Sequence, residues 1–136
     1  MVKYLTVEEV VAGHFYMMKQ MEDADQSGIK ERALLESAVY RPQQTVFGED
    51  AYPSLFEKAA VLTESLVKNH CFYNGNKRTA YLTLKSFLRI NGVHLKMERS
   101  FAVELMVGIA VGKYSTQEMA RILQDHSVPQ SQTRKS

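Results

Sequence analysis

The chain has 136 residues, 45% of them hydrophobic and 24% charged, with a formal net charge of +2. That suffices for one packed domain and falls short of two. Two of the cations, Arg134 and Lys135, sit in a short polar tail, so the rest is near neutral and bulk charge gives no support for direct nucleic-acid or membrane binding.

Cys71 is the single cysteine, which excludes an internal disulfide and fits a reducing compartment. The first nine residues carry acids where a secretory signal would be apolar. No apolar run approaches the length of a membrane span. A cytoplasmic protein with no membrane partner is expected.

Thr6-Val7-Glu8-Glu9 fits a capping box, and Val10, Val11, Phe15, Met18 and Met21 follow at helical spacing. This helix should fade between Asp23 and Gly28. A second runs from Lys30 to Arg41, with Leu34, Leu35, Ala38 and Val39 on one face, and Pro42 ends it. Residues 42–53 place β-branched and aromatic residues between Pro and Gly, which predicts a short hairpin or flap.

Ser54-Leu55-Phe56-Glu57 is another capping box, and its helix should end near Asn69 or His70. The pattern from Asn76 to Ile90 is again helical, with Leu82, Leu84, Phe87 and Leu88 as core and Asn91-Gly92 as the stop. Val93 to Leu95 reads as extended. Ser100 is the expected cap of a helix stopped at Gly112, and Ser115 to Glu118 is a third capping box opening a last helix to about Asp125. The fold class is all-α, with one domain over residues 1–127 and a disordered polar tail over 128–136.

The run from His70 to Arg78 carries the chemistry. A helix ends near His70 and another starts near Asn76. The first backbone N–H groups of a helix have no intrahelical partner and, with the helix dipole, make an anion site. Gly75 lets backbone and ligand approach closely. Asn76 can donate to a phosphate oxygen, and Lys77 and Arg78 supply charge. His70 is placed to take a proton from an attacking hydroxyl. Phe72 is the expected anchor of the loop to the core. These parts describe transfer of a group from a nucleotide to a hydroxyl. His14, His94 and His126 have no partners at metal-ligand spacing and read as structural. Met17, Met18 and Met21 read as core or partner surface, and Cys71 as inert.

The pattern His70-x-Phe72-x-Asn74-Gly75-Asn76-Lys77-Arg78 resembles the signature of the Fic/Doc family, and most closely its Doc (death-on-curing) branch. Gly28 to Ala38 followed by Arg41-Pro42 is similar to the upstream Doc segment. Thr79-Ala80 and Phe87 to Gly92 are similar to the downstream one, so the likeness covers about residues 4–125.

The resemblance implies a compact helical fold in which the loop joins two central helices. Fic enzymes transfer the AMP part of ATP to hydroxyls. Doc toxins phosphorylate a threonine of elongation factor Tu, block translation, and are neutralised by a cognate antitoxin. Carried over, His70 is the general base and Phe72 the anchor. Gly75, Asn76, Lys77 and Arg78 hold the phosphates of ATP or another nucleoside triphosphate, with Mg²⁺ as cofactor. Lys77 stands where Fic enzymes have glycine and Tyr81 where they have a second arginine. This favours phosphoryl over nucleotidyl transfer, with AMP transfer as the alternative. Val46 and Phe47 are the expected contacts of a flap that holds the target by strand-like pairing.

Asn74 stands where the family has an acidic residue that helps bind Mg²⁺, so weaker metal affinity is expected. A catalytically weakened binding module acting through its antitoxin complex is therefore a rival. The Fic-type inhibitory pattern Ser/Thr-x-x-x-Glu-Gly/Asn is absent, which points to restraint by another molecule. A nucleic-acid-acting toxin with a helix-turn-helix is a third reading, opposed by the lack of a basic recognition helix.

Overall fold

Local sequence signals set the element boundaries. The structure, a computed structural model, describes residues 1–133. Its helices are α1 (Val7–Gln20), α2 (Arg32–Tyr40), α3 (Leu55–Lys68), α4 (Asn76–Ile90), α5 (Arg99–Ala110), α6 (Thr116–Asp125) and α7 (Gln130–Thr133). Short 3-10 turns lie at Ala24–Gln26 and Arg41–Gln43. Two antiparallel strand pairs complete the fold: β1 (Thr45–Val46) with β2 (Glu49–Asp50), and β3 (Val93–Leu95) with β4 (Ser127–Pro129). This is the helical domain with a short hairpin that the sequence predicts.

Helices α1, α3 and α6 open with the expected capping boxes, in which Thr6, Ser54 and Ser115 exchange hydrogen bonds with Glu9, Glu57 and Glu118. Each box satisfies two backbone N–H groups and places a carboxylate at the positive end of the helix. Helix α3 is the axis of the molecule. Its buried residues run from Lys58 to Val67 and surround it, so it packs against α2, α4, α5 and α6. Ala59, Ala60 and Ala80 are fully buried or nearly so, and Leu62, Leu66, Leu84, Phe87 and Leu88 fill the core between α3 and α4.

The hairpin turns at Phe47 (φ 52°) and Gly48 (φ 82°). Two consecutive positive φ values make the primed turn that matches strand twist in a two-residue loop. Phenylalanine rarely enters this region, and Phe47 is fully exposed there.

Four expectations are corrected. The buried face of α1 is Val10, His14 and Met18, while Phe15 and Met21 are exposed. Spacing of four selects that face, and a histidine occupies its centre because both ring nitrogens find partners. Leu34 is also exposed rather than core. Ser100 lies inside α5, whose N-cap is Glu98 with extended backbone (φ −65°, ψ 148°), so the chain turns into helix earlier.

The polar segment expected to be disordered from Val128 instead pairs with β3 through Val128 and Pro129 and continues into α7. Lys96 N–H donates to His126 O at 2.7 Å and Gln130 N–H to Gly92 O at 2.9 Å. Ladder bonds use the backbone alone, so a polar composition does not forbid them. Residues 134–136 of that expected tail lie outside the described residues.

Candidate functional site

The loop between α3 and α4 begins with a change of backbone hand. Asn69 caps α3, and His70 follows with φ 48°. Histidine is among the residues that enter the left-handed region most readily. A residue there just past a helix end redirects the chain. His70 is exposed, while the next two residues, Cys71 and Phe72, are buried.

Backbone pairing with the segment before α2 holds this stretch. Lys30 and Glu31 N–H groups both donate to Cys71 O, at 2.7 and 3.0 Å, and Tyr73 N–H donates to Gly28 O at 3.1 Å. Ile29 and Phe72 form an isolated antiparallel bridge. The Phe72 ring stacks on the His14 ring from α1, 3.9 Å between centroids.

His14 is completely buried. Gly28 N–H donates to its Nε2 at 3.1 Å, so Nε2 carries the lone pair. The ring proton is then on Nδ1, which lies 2.9 Å from the accepting Thr79 Oγ1 in α4. One imidazole thus joins α1, the Gly28 segment, the loop and α4. Burial holds its pKa below the ordinary histidine value, since the charged form would lose water.

The far end of the loop is closed by Asn76. Its Oδ1 accepts from Phe72 N–H at 3.0 Å and its Nδ2 donates to Phe72 O at 2.9 Å. The carboxamide expected to reach phosphate therefore braces the loop first, leaving one amide hydrogen for a ligand. Gly75, the N-cap of α4, has φ 71°, and a Cβ on it would stand 2.8 Å from Met18 Sδ and 3.1 Å from Met17 Cε. Glycine is needed here for its backbone hand, while the two methionine ends could turn aside from a Cβ.

The start of α4 differs from those of α1, α3 and α6. It shares with those of α2 and α5 the lack of a side-chain cap and of first-turn acids, but it alone among the uncapped three lines the cleft with His70. No side chain caps it, and its first turn holds no acid. Lys77 and Arg78 stand there instead, both exposed. Cations at a helix N-terminus oppose the dipole. The combination of uncapped amides and two cations favours an anion at this point. Val67, His70, Tyr73, Asn74, Gly75, Asn76, Lys77 and Arg78 line one open cleft of about 400 Å³.

Asn74 lines the same cleft. Its Nδ2 donates to Gln26 O (3.1 Å) and Gln26 Oε1 (3.3 Å), which ties the loop to the turn after α1. Its Oδ1 is the neutral oxygen left for a hard cation. Among the described residues no three His, Cys, Asp or Glu side chains gather as a metal cage. A single neutral amide oxygen is a weak donor for a hard cation, so any ion bound here would have to draw most of its ligands from a bound phosphate and water.

The structure thus brings His70, Asn74, Gly75, Asn76, Lys77 and Arg78 to one cleft and places Phe72 beneath it. Val46 and Phe47 sit apart, at the exposed hairpin tip. Tyr81 is partly buried farther along α4, its phenol pKa raised by that burial. The sequence reads His14 as structural, and the structure gives it that role at the base of the loop. Its spacing of four from Val10 and from Met18 was the signal that it faces inward. The backbone pairing of Gly28–Glu31 with the loop left no side-chain signature.

Residues 4–88 match the model of the Fic/DOC family. The chain is 45% identical over 96 residues to a protein of Mycolicibacterium smegmatis named Toxin Doc, covering 70% of this chain and 69% of that one. It is 30% identical over 121 residues to Protein kinase doc of Escherichia phage P1, covering 89% of this chain and 93% of the other.

Proposed function

Because the chain belongs to the Fic/DOC family, on its Doc branch, we propose that it is the toxin of a toxin–antitoxin pair. It transfers the γ-phosphoryl group of a nucleoside triphosphate, ATP in the simplest case, to a protein hydroxyl. The acceptor we assign is a threonine of elongation factor Tu, whose modification blocks translation in the cytoplasm. A cognate antitoxin restrains it. The observation that carries this reading is the uncapped start of α4, with Lys77 and Arg78, in the same cleft as His70. The name of the phage P1 relative, a protein kinase, supports the reaction class.

In this mechanism the amides of the first turn of α4 and the Lys77 and Arg78 side chains hold the polyphosphate. His70 takes the proton of the attacking hydroxyl as its oxygen bonds to phosphorus, and the bond to the β-phosphate oxygen breaks to release a nucleoside diphosphate. Bound magnesium would supply charge neutralisation on the phosphates, with Asn74 as its protein ligand. Most of the acceleration comes from positioning and fixed charge. The exposed β1 edge and the Val46–Phe47 tip offer an extended acceptor segment a strand to pair with and an apolar contact.

Mass spectrometry of elongation factor Tu after incubation with the protein, ATP and Mg²⁺ tests this. The expected shift is one phosphoryl group, absent with His70→Ala. A nucleotidyl shift overturns kinase chemistry in favour of AMP transfer. No shift with any triphosphate favours a catalytically weakened module acting through its antitoxin complex, the reading that the neutral Asn74 side chain supports.

A further inference from the structure

Lys58 is the most deeply buried cation among the described residues, 1% exposed in the first turn of α3. Burying an ammonium is unfavourable unless its hydrogens are all used, and an apolar side chain of the same length would fill the space at lower cost. Its Nζ has three oxygen acceptors: Pro42 O at 3.4 Å, Asp50 Oδ2 at 3.1 Å and Tyr52 O at 2.5 Å. Pro42 precedes β1, Asp50 ends β2 and Tyr52 follows it. One ammonium therefore grips both legs of the hairpin.

The hairpin has little else to hold it. All four strand residues are exposed, Phe47 makes no burial at the tip, and nothing stands within 4 Å of a Cβ on Gly48. An isolated two-stranded hairpin is marginally stable in water. Its order must come from the base, where Ala51 N–H donates to Gln44 O at 2.9 Å. There Arg41 also reaches Tyr52 Oη at 3.4 Å while paired with Glu64 and Ser65 of α3.

We propose that Lys58 is a positioning residue that fixes the Thr45–Asp50 hairpin against α3, so that the flap meets its acceptor already ordered. The same helix delivers His70 just beyond its C-terminus, so flap and general base are referenced to one rigid rod. This rests on the reading of the hairpin as the acceptor-binding flap. Preordering a binding segment lowers the entropy lost on association, so the effect belongs in KM for the protein acceptor and not in the chemical step.

The test compares full-length wild type, Lys58→Met, Lys58→Arg and Asp50→Ala. Amide hydrogen exchange is measured over residues 44–51, and phosphoryl transfer to purified elongation factor Tu is followed at varied acceptor concentration. Lys58→Met should speed exchange in that segment and raise acceptor KM roughly tenfold, as expected for losing buried charged hydrogen bonds. It should leave kcat and ATP affinity in place. Lys58→Arg, which keeps charge and donors, should restore most of both. Asp50→Ala removes the exposed partner without opening the core, so it gives the same reading in milder form should Lys58→Met fail to fold. Unchanged exchange over 44–51 in folded Lys58→Met or in Asp50→Ala overturns the proposal. Phe47→Ser separates the two layers. If it leaves KM unchanged, the flap reading fails, while exchange still decides the tether. If it raises KM and Lys58→Met does not, only the positioning role fails.

Discussion

The His14 and Phe72 rings lie nearly parallel, with centroids 3.9 Å apart and 14° between their planes. A histidine from the first helix is thus the floor on which the loop's anchor rests. Its two nitrogens hold Gly28 and Thr79, one on each side of the loop.

Replacing His14 by leucine leaves a part-buried N–H and a buried hydroxyl without their partner. Such losses cost about 2–4 kcal/mol together. Urea unfolding should show that loss, and phosphoryl transfer should fall although His14 lies outside the cleft. The same residue sets a pH dependence. Its folded pKa lies below the ordinary 6.5, so between the two values the unfolded chain binds more protons. Stability from His14 is present above pH 6.5 and declines as pH falls toward the folded pKa. The wild-type slope in that window should exceed that of His14→Leu. Equal slopes count against the assignment.

Asn74→Asp removes a donor and adds a charge. The Nδ2 bonds to Gln26 cannot form with a carboxylate. At this exposed site the stability loss should be at most about 1 kcal/mol. Magnesium required for half-maximal transfer should fall several-fold, since hard cations prefer charged oxygen. A magnesium titration of both proteins decides it: an unchanged requirement means residue 74 does not touch the metal.

Gly75→Ala forces a Cβ onto a backbone with φ 71° and brings it 2.8 Å from Met18 Sδ. The left-handed conformation alone costs about 1–2 kcal/mol. The methionine ends can turn aside, so the backbone strain dominates: thermal unfolding should show at least that loss, and nucleotide binding by calorimetry should weaken as the strained turn before α4 shifts. Unaltered binding would show that the cleft tolerates this shift.

Cys71 sits beside His70 yet should be chemically silent. Burial pushes its thiol up to about 11, with the nearby Glu31 carboxylate adding to the effect. The thiolate is the reactive form. Alkylating reagents at neutral pH should leave the native protein unlabelled and modify it fully in denaturant. Rapid native labelling would mean that the loop opens.

Much of this protein is legible in its linear order. The three capping boxes, the Gly92 and Gly112 stops and the helix from Asn76 to Ile90 follow from local hydrogen bonding and backbone freedom, which depend on neighbours a few residues apart. The gathering of the nine-residue run from His70 around the uncapped start of α4 is legible for the same reason, because a helix start is itself a local feature.

Tertiary contact decided the rest. Only the folded chain shows that Lys58 grips a hairpin, that the Asn76 carboxamide braces Phe72, and that His14 supports the loop from 58 residues upstream of Phe72. The strand β4 likewise arose from a segment whose composition argued for disorder. Buried polar groups take whatever partner the packing supplies, and backbone pairing asks nothing of the side chains. Neither leaves a period or a spacing to be read in advance.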